Sequence, residues 1–367
     1  MEPSARILVF GATGYTGELT ARSLVRQGVR PVLVARSAER VTALATELGG
    51  LEHAVADAGD ATALAGVVRA GDVLISTVGP FLRYGEAAVQ VAAEKGAHYL
   101  DSTGEGPFLR SVFERWGPVA DANGAALLSA FGFDFVPGSL AGALAVEKAG
   151  AAATRVDVGY FVRNFGTSGG TRASVAGMML EQGFAFRDGA LRPERAGRRV
   201  ERFEVGGRTL TAASVPGAEH LALPAAYPQL RDVGSFLGVP PALARGMALA
   251  TLASTPVRSV RPLKSLALAA AGRLVKGSTG GPSAQQRANA SVSIVAVARA
   301  ADGSVLATST LEGPDPYDYT ADMLAWGAIA AASGRLLSTG GLGPVGAFGL
   351  DALVEGCAAA GLKEVGA

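Results

Sequence analysis

Three glycines at three-residue intervals, Gly11, Gly14 and Gly17, stand between an apolar run, Ile7 to Phe10, and an amphipathic segment carrying Glu18, Arg22 and Arg26 on one stripe. Glycine tolerates the left-handed dihedrals of a tight turn and lets a ligand or another backbone come into contact. Strand, glycine turn and helix in that order turn the helix's unpaired first amides toward an anion, so the chemistry open to this stretch is holding a phosphate. The spacing G-x-x-G-x-x-G departs from G-x-G-x-x-G. Its context, completed by Gly28 and a second apolar run, Val32 to Ala35, predicts a dinucleotide turn built from Gly11, Thr13, Gly14, Tyr15, Thr16 and Gly17. Arg36 and Ser37 close the second run, with Arg40 one turn on. An acidic residue at this point selects the ribose 2′-hydroxyl of NAD and an arginine accommodates the 2′-phosphate of NADP, so the expected cofactor is NADP(H).

Other reactive groups fall at predicted strand ends. The run Asp72 to Thr77 is almost wholly apolar, as a strand covered on both faces must be, and it leads into Val78-Gly79-Pro80-Phe81-Leu82-Arg83-Tyr84-Gly85. Such a loop lies beneath the nicotinamide ribose, which predicts Thr77, Val78, Gly79, Pro80 and Tyr84 as cofactor contacts. Asp57, at the end of a third strand, either approaches the adenine or caps the following helix. Asp101 closes the strand His98 to Asp101, Glu105 follows in the same loop, and Asp134 lies in the stretch Phe131 to Gly138. Carboxylates at this edge are better placed for chemistry than carboxylates on a helix surface. The catalytic candidates are Tyr84, Asp101 and Asp134, with Tyr160 a further proton donor, and protonation by solvent would need none of them. Thr167, Ser168, Gly169 and Thr171 precede a helix predicted over 173–182. They are expected either to cradle a substrate carboxylate, thioester oxygen or phosphate, or to form a plain turn with Thr171 as helix cap. No tyrosine has a lysine four positions later, which excludes a Tyr-x-x-x-Lys mechanism.

The elements that must position these groups follow from period and punctuation. Through residue 150 apolar runs alternate with helical segments, the signature of a Rossmann-type, doubly wound parallel α/β sheet. Beyond it, Val156 to Val162 alternates as a half-buried strand, Val200 to Val205 and Thr209 to Val215 flank Gly206-Gly207, and Ser291 to Arg299 and Ser304 to Leu311 flank Ala301-Asp302-Gly303. Consecutive hairpins predict a second, α+β domain on a mixed or antiparallel sheet over 151–315. A chain of 367 residues suits two domains, and 49% hydrophobic against 18% charged residues leaves material for a large core. A net charge of +1 argues against nucleic acid as a partner. Cys357 alone cannot form an internal disulfide or a cysteine-rich zinc site, and His53, His98 and His220 lack ligand spacing, so no metal is expected. Residues 1–6 are too short and polar for a signal peptide and no run approaches the ~18 apolar residues of a membrane span, so a cytoplasmic location is expected. Arg187, Arg192, Arg195, Arg198, Arg199 and Arg202 form a basic cluster, either a solvated hairpin face or a dock for an acidic carrier. Leu243 to Leu252 and Leu263 to Leu274 read as core or dimer-interface helices, or as a lid or membrane-surface contact, and a homodimer is expected.

The pieces GATGYTG, VGPFLRYG, YLDSTGE and GFDFVPG, in this order and at these intervals, resemble the saccharopine dehydrogenase-like oxidoreductases. The resemblance is strongest to the branch that contains the mycobacterial trans-acting enoyl reductases. It covers most of residues 6–150 and thins beyond them to Gly166 through Thr171 and the closing hairpin and helix. It implies a Rossmann domain over 1–150 that binds NADP(H), a following domain that holds the substrate, and a carboxy-terminal helix, within 316–367, that returns to the first domain. The implied reaction is hydride transfer from NADPH to an enoyl C=C of a small-molecule or carrier-bound hydrophobic substrate. Reduction of a C=N bond, as in saccharopine formation, is the alternative and would demand several converging charges. A non-enzymatic NADP-binding redox sensor is a third reading. Replacing Arg36 by Asp is expected to raise the Michaelis constant for NADPH far more than that for NADH, which steady-state kinetics with both nucleotides checks.

Overall fold

A computed structural model describes residues 5–366 apart from 170, 173–180, 245 and 247–279. The strands of the amino-terminal half are β1 (Ile7–Phe10), β2 (Val32–Ala35), β3 (His53–Val55), β4 (Val73–Ser76), β5 (His98–Asp101) and β6 (Ala126–Leu128). They pair in parallel in the order β6-β5-β4-β1-β2-β3. β1, β2 and β4 are buried along their whole length, which is why they read as unbroken apolar runs. The chain builds outward from β1 in one direction and from β4 in the other, so the C-terminal ends of β1 and β4 frame a crevice at the reversal of strand order. The helical segment that begins at Gly106 is interrupted. It is π-helical over Val112–Trp116 and restarts with Pro118 in its first turn, because proline cannot donate the bond that would continue it.

The second half forms β7 (Arg155–Arg163), β8 (Phe184–Arg187), β9 (Ala190–Pro193), β10 (Val200–Val205), β11 (Arg208–Ser214), β12 (Asp232–Gly238), β13 (Ser291–Arg299) and β14 (Val305–Gly313). Their order is β10-β11-β12-β7-β13-β14, with the β8–β9 hairpin attached to β12. The sheet is mixed, since β12 runs parallel to β7 while its other pairings are antiparallel. Neither β12 nor the hairpin stands out in the sequence, where two glycines dilute the β12 run.

The two sheets are less separate than a boundary at residue 150 suggests. The helix Val136–Ala149, expected to close the first domain, packs instead against β7, β13 and β14. Val156, Val158 and Tyr160 of β7 and Ile294, Ala296 and Ala298 of β13 share one core with β1 and the first helix, whereas Phe161, Phe203, Phe236 and Val295 cluster on the opposite face. The carboxy-terminal helix Pro316–Ala332 lies along the helix Tyr15–Arg26, where Ser23 Oγ donates to Asp322 at 2.5 Å, and Phe131, Trp326 and Phe348 stack beneath β5 and β6. β15 (Gly340–Gly341) then pairs with β6, but β16 (Lys363–Glu364) returns to β14. The tail therefore belongs to both sheets, and Lys148 Nζ to Glu364 at 2.6 Å fastens it to the bridging helix. Among the described residues no helix is long and apolar enough to cross a membrane.

Candidate active site

At the crevice, Gly11 takes φ +86°, and the amides of Gly11 and Ala12 both donate to Val34 O at 2.9 and 3.2 Å, tying the turn to β2. Gly14 N donates to Gly11 O at 2.8 Å and serves as an uncapped helix N-cap. The amides of Tyr15, Thr16 and Gly17 precede the first intrahelical bond, Glu18 N to Gly14 O, and so remain for an anion. Gly17 has no room for a side chain, since a Cβ there would run into Gly11 O. A Cβ on Gly11 would stand 2.8 Å from Thr77 Oγ1 and from a Val78 methyl, which packs the β4 loop against the turn. Arg36 is exposed at the end of β2 and has no polar partner among the described residues. Its neighbours are occupied. Ser37 Oγ caps the next helix by accepting from Arg40 N, and the Arg40 guanidinium reaches Thr13 O at 2.7 Å. Asp57 is exposed and accepts from Gly59 N at 2.9 Å, while the cap of the following helix is Asp60. Free amides, a glycine cradle and an unpartnered guanidinium at the end of β2 together fit a bound NADP(H).

The acids behind this crevice divide sharply. Glu105 is 2% exposed, and its two oxygens accept from Phe81 N at 2.8 Å and Leu82 N at 3.0 Å, the first amides of the short helix Phe81–Tyr84. Asp101 is fully buried. Its Oδ1 accepts from Thr103 N at 2.9 Å and Ala130 N at 2.8 Å, and its Oδ2 accepts from Ser129 Oγ at 2.7 Å. Burial pushes its carboxyl up to about 6 against the pull of these donors. Ala130 is held at φ +58°, a left-handed conformation uncommon for a residue with a Cβ, and its amide bond to Asp101 helps hold it there. Asp101, expected to be catalytic, is thus sealed into the fold as a loop organiser, and so is Glu105. Tyr84 is half-buried with the Arg83 guanidinium 4.9 Å from its ring centre, and its hydroxyl has no hydrogen bond among the described residues.

Asp134 is the accessible acid. It projects between the buried Phe133 and Phe135, and its Oδ2 lies over Gly104 in the β5 loop, where a Cβ would come within 2.8 Å. The carboxyl is reached by solvent yet surrounded by protein, a recess that pushes it up to about 6 by desolvation. Tyr160 is buried with its ring edge-on to both Phe133 and Phe135, at 5.6 and 6.0 Å.

The loop expected to cradle substrate sits on the cofactor turn. Tyr317 OH accepts from Ser168 N at 2.7 Å and lies 2.7 Å from Thr171 Oγ1, and its ring meets that of Tyr15 edge-on at 5.1 Å. Tyr15 OH in turn donates to Pro282 O at 2.5 Å and accepts from Arg287 at 2.9 Å. The cap of the helix that starts here is Ser168, which accepts from Thr171 N, rather than Thr171, whose hydroxyl is turned to Tyr317. Thr167 is exposed and Gly169 N donates to Gly280 O at 3.2 Å. The basic cluster is only partly a solvated face: Arg187 pairs with Asp232 at 3.1 Å and Arg199 with Glu194 at 3.0 Å, both largely covered, whereas Arg192, Arg198 and Arg202 are exposed. The helix expected over 173–182 and the apolar segments from Leu243 to Leu274 fall almost wholly outside the described residues. Among the described residues no group of His, Cys, Asp or Glu could hold a metal ion.

Glu105 had no distinguishing mark in the sequence beyond its place after a strand. Replacing it by Ala leaves the Phe81 and Leu82 amides without their acceptor, and we expect a loss of about 2–4 kcal/mol in denaturant unfolding together with weaker NADPH binding.

Residues 7–123 match the family model for the saccharopine dehydrogenase NADP binding domain. A Mycobacterium tuberculosis protein provisionally named a trans-acting enoyl reductase is 36% identical over 179 residues, covering 46% of this chain and 43% of that protein. A trans-acting enoyl reductase of Mycobacterium bovis is 36% identical over 149 residues, covering 38% of this chain and 36% of the other. The aligned stretch thus spans less than half the length of these curated relatives. Apo saccharopine dehydrogenase (L-Glu forming) from Saccharomyces cerevisiae superposes with a TM-score of 0.61 over 99% of both chains at 13% identity, a likeness of fold. Residues 7–123 thus form an NADP-binding domain of the saccharopine dehydrogenase type, and the chain as a whole shares the fold of saccharopine dehydrogenase.

Proposed function

We propose that this protein reduces the polarised C=C bond of an enoyl thioester or ketone on a largely hydrophobic chain, with Asp134 as the proton donor. Asp134 carries the reading. It is open to solvent at the end of the first sheet, its environment raises it to about 6, and the competing acids Asp101 and Glu105 are sealed and fully engaged. A general acid must be protonated near working pH and within reach of the substrate, and among these three acids Asp134 alone combines both properties. Bound NADPH supplies the hydride that goes to the β-carbon. The electron pair displaced from the C=C passes to the carbonyl oxygen as an enolate, and the Asp134 O–H bond breaks to protonate the α-carbon. Asp134 is left as a carboxylate that solvent reprotonates. The names of the curated relatives support the enoyl acceptor. Tyr84, with its hydroxyl unengaged in the β4 loop, is proposed to hydrogen-bond the substrate carbonyl or the nicotinamide ribose. Thr167, Ser168, Gly169 and Thr171 are proposed to close over substrate beside the cofactor turn. We further propose a homodimer in the cytoplasm, in keeping with a buried free thiol at Cys357 and exposed Val305 and Leu306 on β14.

The test follows NADPH oxidation with a medium-chain α,β-unsaturated N-acetylcysteamine thioester. The wild-type rate is expected to fall as pH rises through about 6, following loss of the Asp134 proton. Asp134→Asn is expected to lose ~10²-fold or more in kcat and to flatten the profile. Undiminished activity in that variant would remove Asp134 from the reaction, and turnover of imines but not enoyl thioesters would replace the acceptor.

If the substrate rides on an acidic carrier, the exposed arginines dock it. Charge reversal at Arg198 and Arg202, which spares the Arg199–Glu194 pair, should raise the Michaelis constant for an acyl-carrier-bound enoyl chain at least ~10-fold and leave the free thioester unaffected. Equal losses on both would refute docking.

A further inference from the structure

Behind Asp134 lies a second acid that the reaction above does not use. Glu219 opens the helix Glu219–Ala226 with no exposed surface, and no cation pairs with it among the described residues. An isolated buried carboxylate is costly, and the usual remedies are a cationic partner or a retained proton. Here the remedy is the proton. Glu219 Oε1 accepts the Tyr160 hydroxyl, while Oε2 and the Ser235 hydroxyl are both buried with no hydrogen bond of sound geometry. A proton on Oε2 would give the Ser235 oxygen a donor, and burial pushes Glu219 up to about 7.

Room for this acid is carved out by two glycines. A Cβ on Gly138 would collide with Tyr160 OH and Glu219 Oε1, and one on Gly217 with Glu219 Oε2. Gly138 N donates to Tyr160 OH at 3.0 Å, so the phenol is held from the bridging helix as well as by Glu219. Its ring is clamped edge-on by Phe133 and Phe135, the two neighbours of Asp134. Glu219 is thereby connected through one side chain to the turn that presents the accessible acid.

We propose that Glu219, acting through Tyr160, is a positioning residue for Asp134: the carboxyl and the phenol it holds fix the turn that carries Asp134. This rests on the reading of Asp134 as proton donor. The groups facing the pair are Tyr160 from β7, Ser235 from β12, Asp134 from the turn after β6 and the Gly138 amide. On the Glu219 helix itself, His220 turns away to Phe186 N and Val215 O, and burial first and then the Arg187 charge keep it neutral, pushed down to about 4. Negative charge on Asp134 raises Glu219, so Glu219 keeps its proton while Asp134 loses its own. The sign is therefore definite: removing the Asp134 charge must move the loss of the Glu219 proton to lower pH.

Two measurements test this, one without substrate. Infrared titration of the unliganded protein should show a protonated carboxyl lost with a midpoint near 7, absent in Glu219→Gln and displaced to lower pH in Asp134→Asn, where the neighbouring charge is gone. With the enoyl thioester, Glu219→Gln keeps an acceptor for Tyr160. It should retain kcat within about threefold and leave the decline near pH 6 in place, because Glu219 is neutral where Asp134 titrates. Tyr160→Phe and Glu219→Leu, which lose the connection, should cost ~10-fold or more in kcat and leave the Michaelis constant for NADPH unchanged. A loss of kcat in Glu219→Gln as large as that in Glu219→Leu, or a carboxyl signal indifferent to Asp134→Asn, overturns the proposal. If the wild type reduces no enoyl thioester, the infrared arm still decides the coupling, and the proposed reaction alone falls.

Discussion

The contact on which the structure turns is the approach of Gly17 to the carbonyl of Gly11. With no side chain at either residue, the first helix descends onto β1 closely enough to leave its leading amides facing the crevice rather than a neighbouring strand. Any Cβ at Gly17 pushes the helix off the strand. The same proximity fixes where β4 ends, because Thr77 and Val78 pack into the space that Gly11 leaves empty. The glycine turn and the loop after β4 are thus a single piece of packing.

Around that piece the loops are held by buried carboxylates rather than by apolar contacts. Glu105 accepts from the first amides of the β4 helix, Asp101 ties the end of β5 to the end of β6, and Glu219 supports the turn after β6 through Tyr160. A carboxyl offers two oxygens that can each accept from loop amides, and this suits segments whose backbone donors have no strand partner. The cost is desolvation, seen in the raised values of Asp101 and Glu219. Desolvation raises the Asp134 carboxyl as well, although that side chain is exposed.

The second domain is not an appendage. Its bridging helix shares a core with the first sheet, the tail pairs with both sheets, and Tyr15 of the glycine turn meets Tyr317, Pro282 and Arg287. The Ser168–Thr171 loop hangs from Tyr317, so whatever orders the cofactor turn also bears on the loop beside it.

The local parts of this architecture were legible in order and type. An apolar run entering three glycines has few other uses, Arg36 at the end of β2 sits where its number along the chain puts it, and hairpins flanking Gly206-Gly207 and Asp302-Gly303 announce a different sheet. These features depend on neighbours within a few residues, and sequence records such neighbours directly. Tertiary structure alone decided which of the three acids is exposed. Asp101, Glu105 and Asp134 all follow strands and look alike in one dimension, but their exposure depends on groups far along the chain, from Phe81 for Glu105 to Tyr160 and Glu219 behind Asp134. The parallel insertion of β12 beside β7, and the meeting of Tyr15 with Tyr317 across some three hundred positions, were hidden for the same reason. Burial and charge coupling are sums over the folded neighbourhood, and no local pattern of residues carries them.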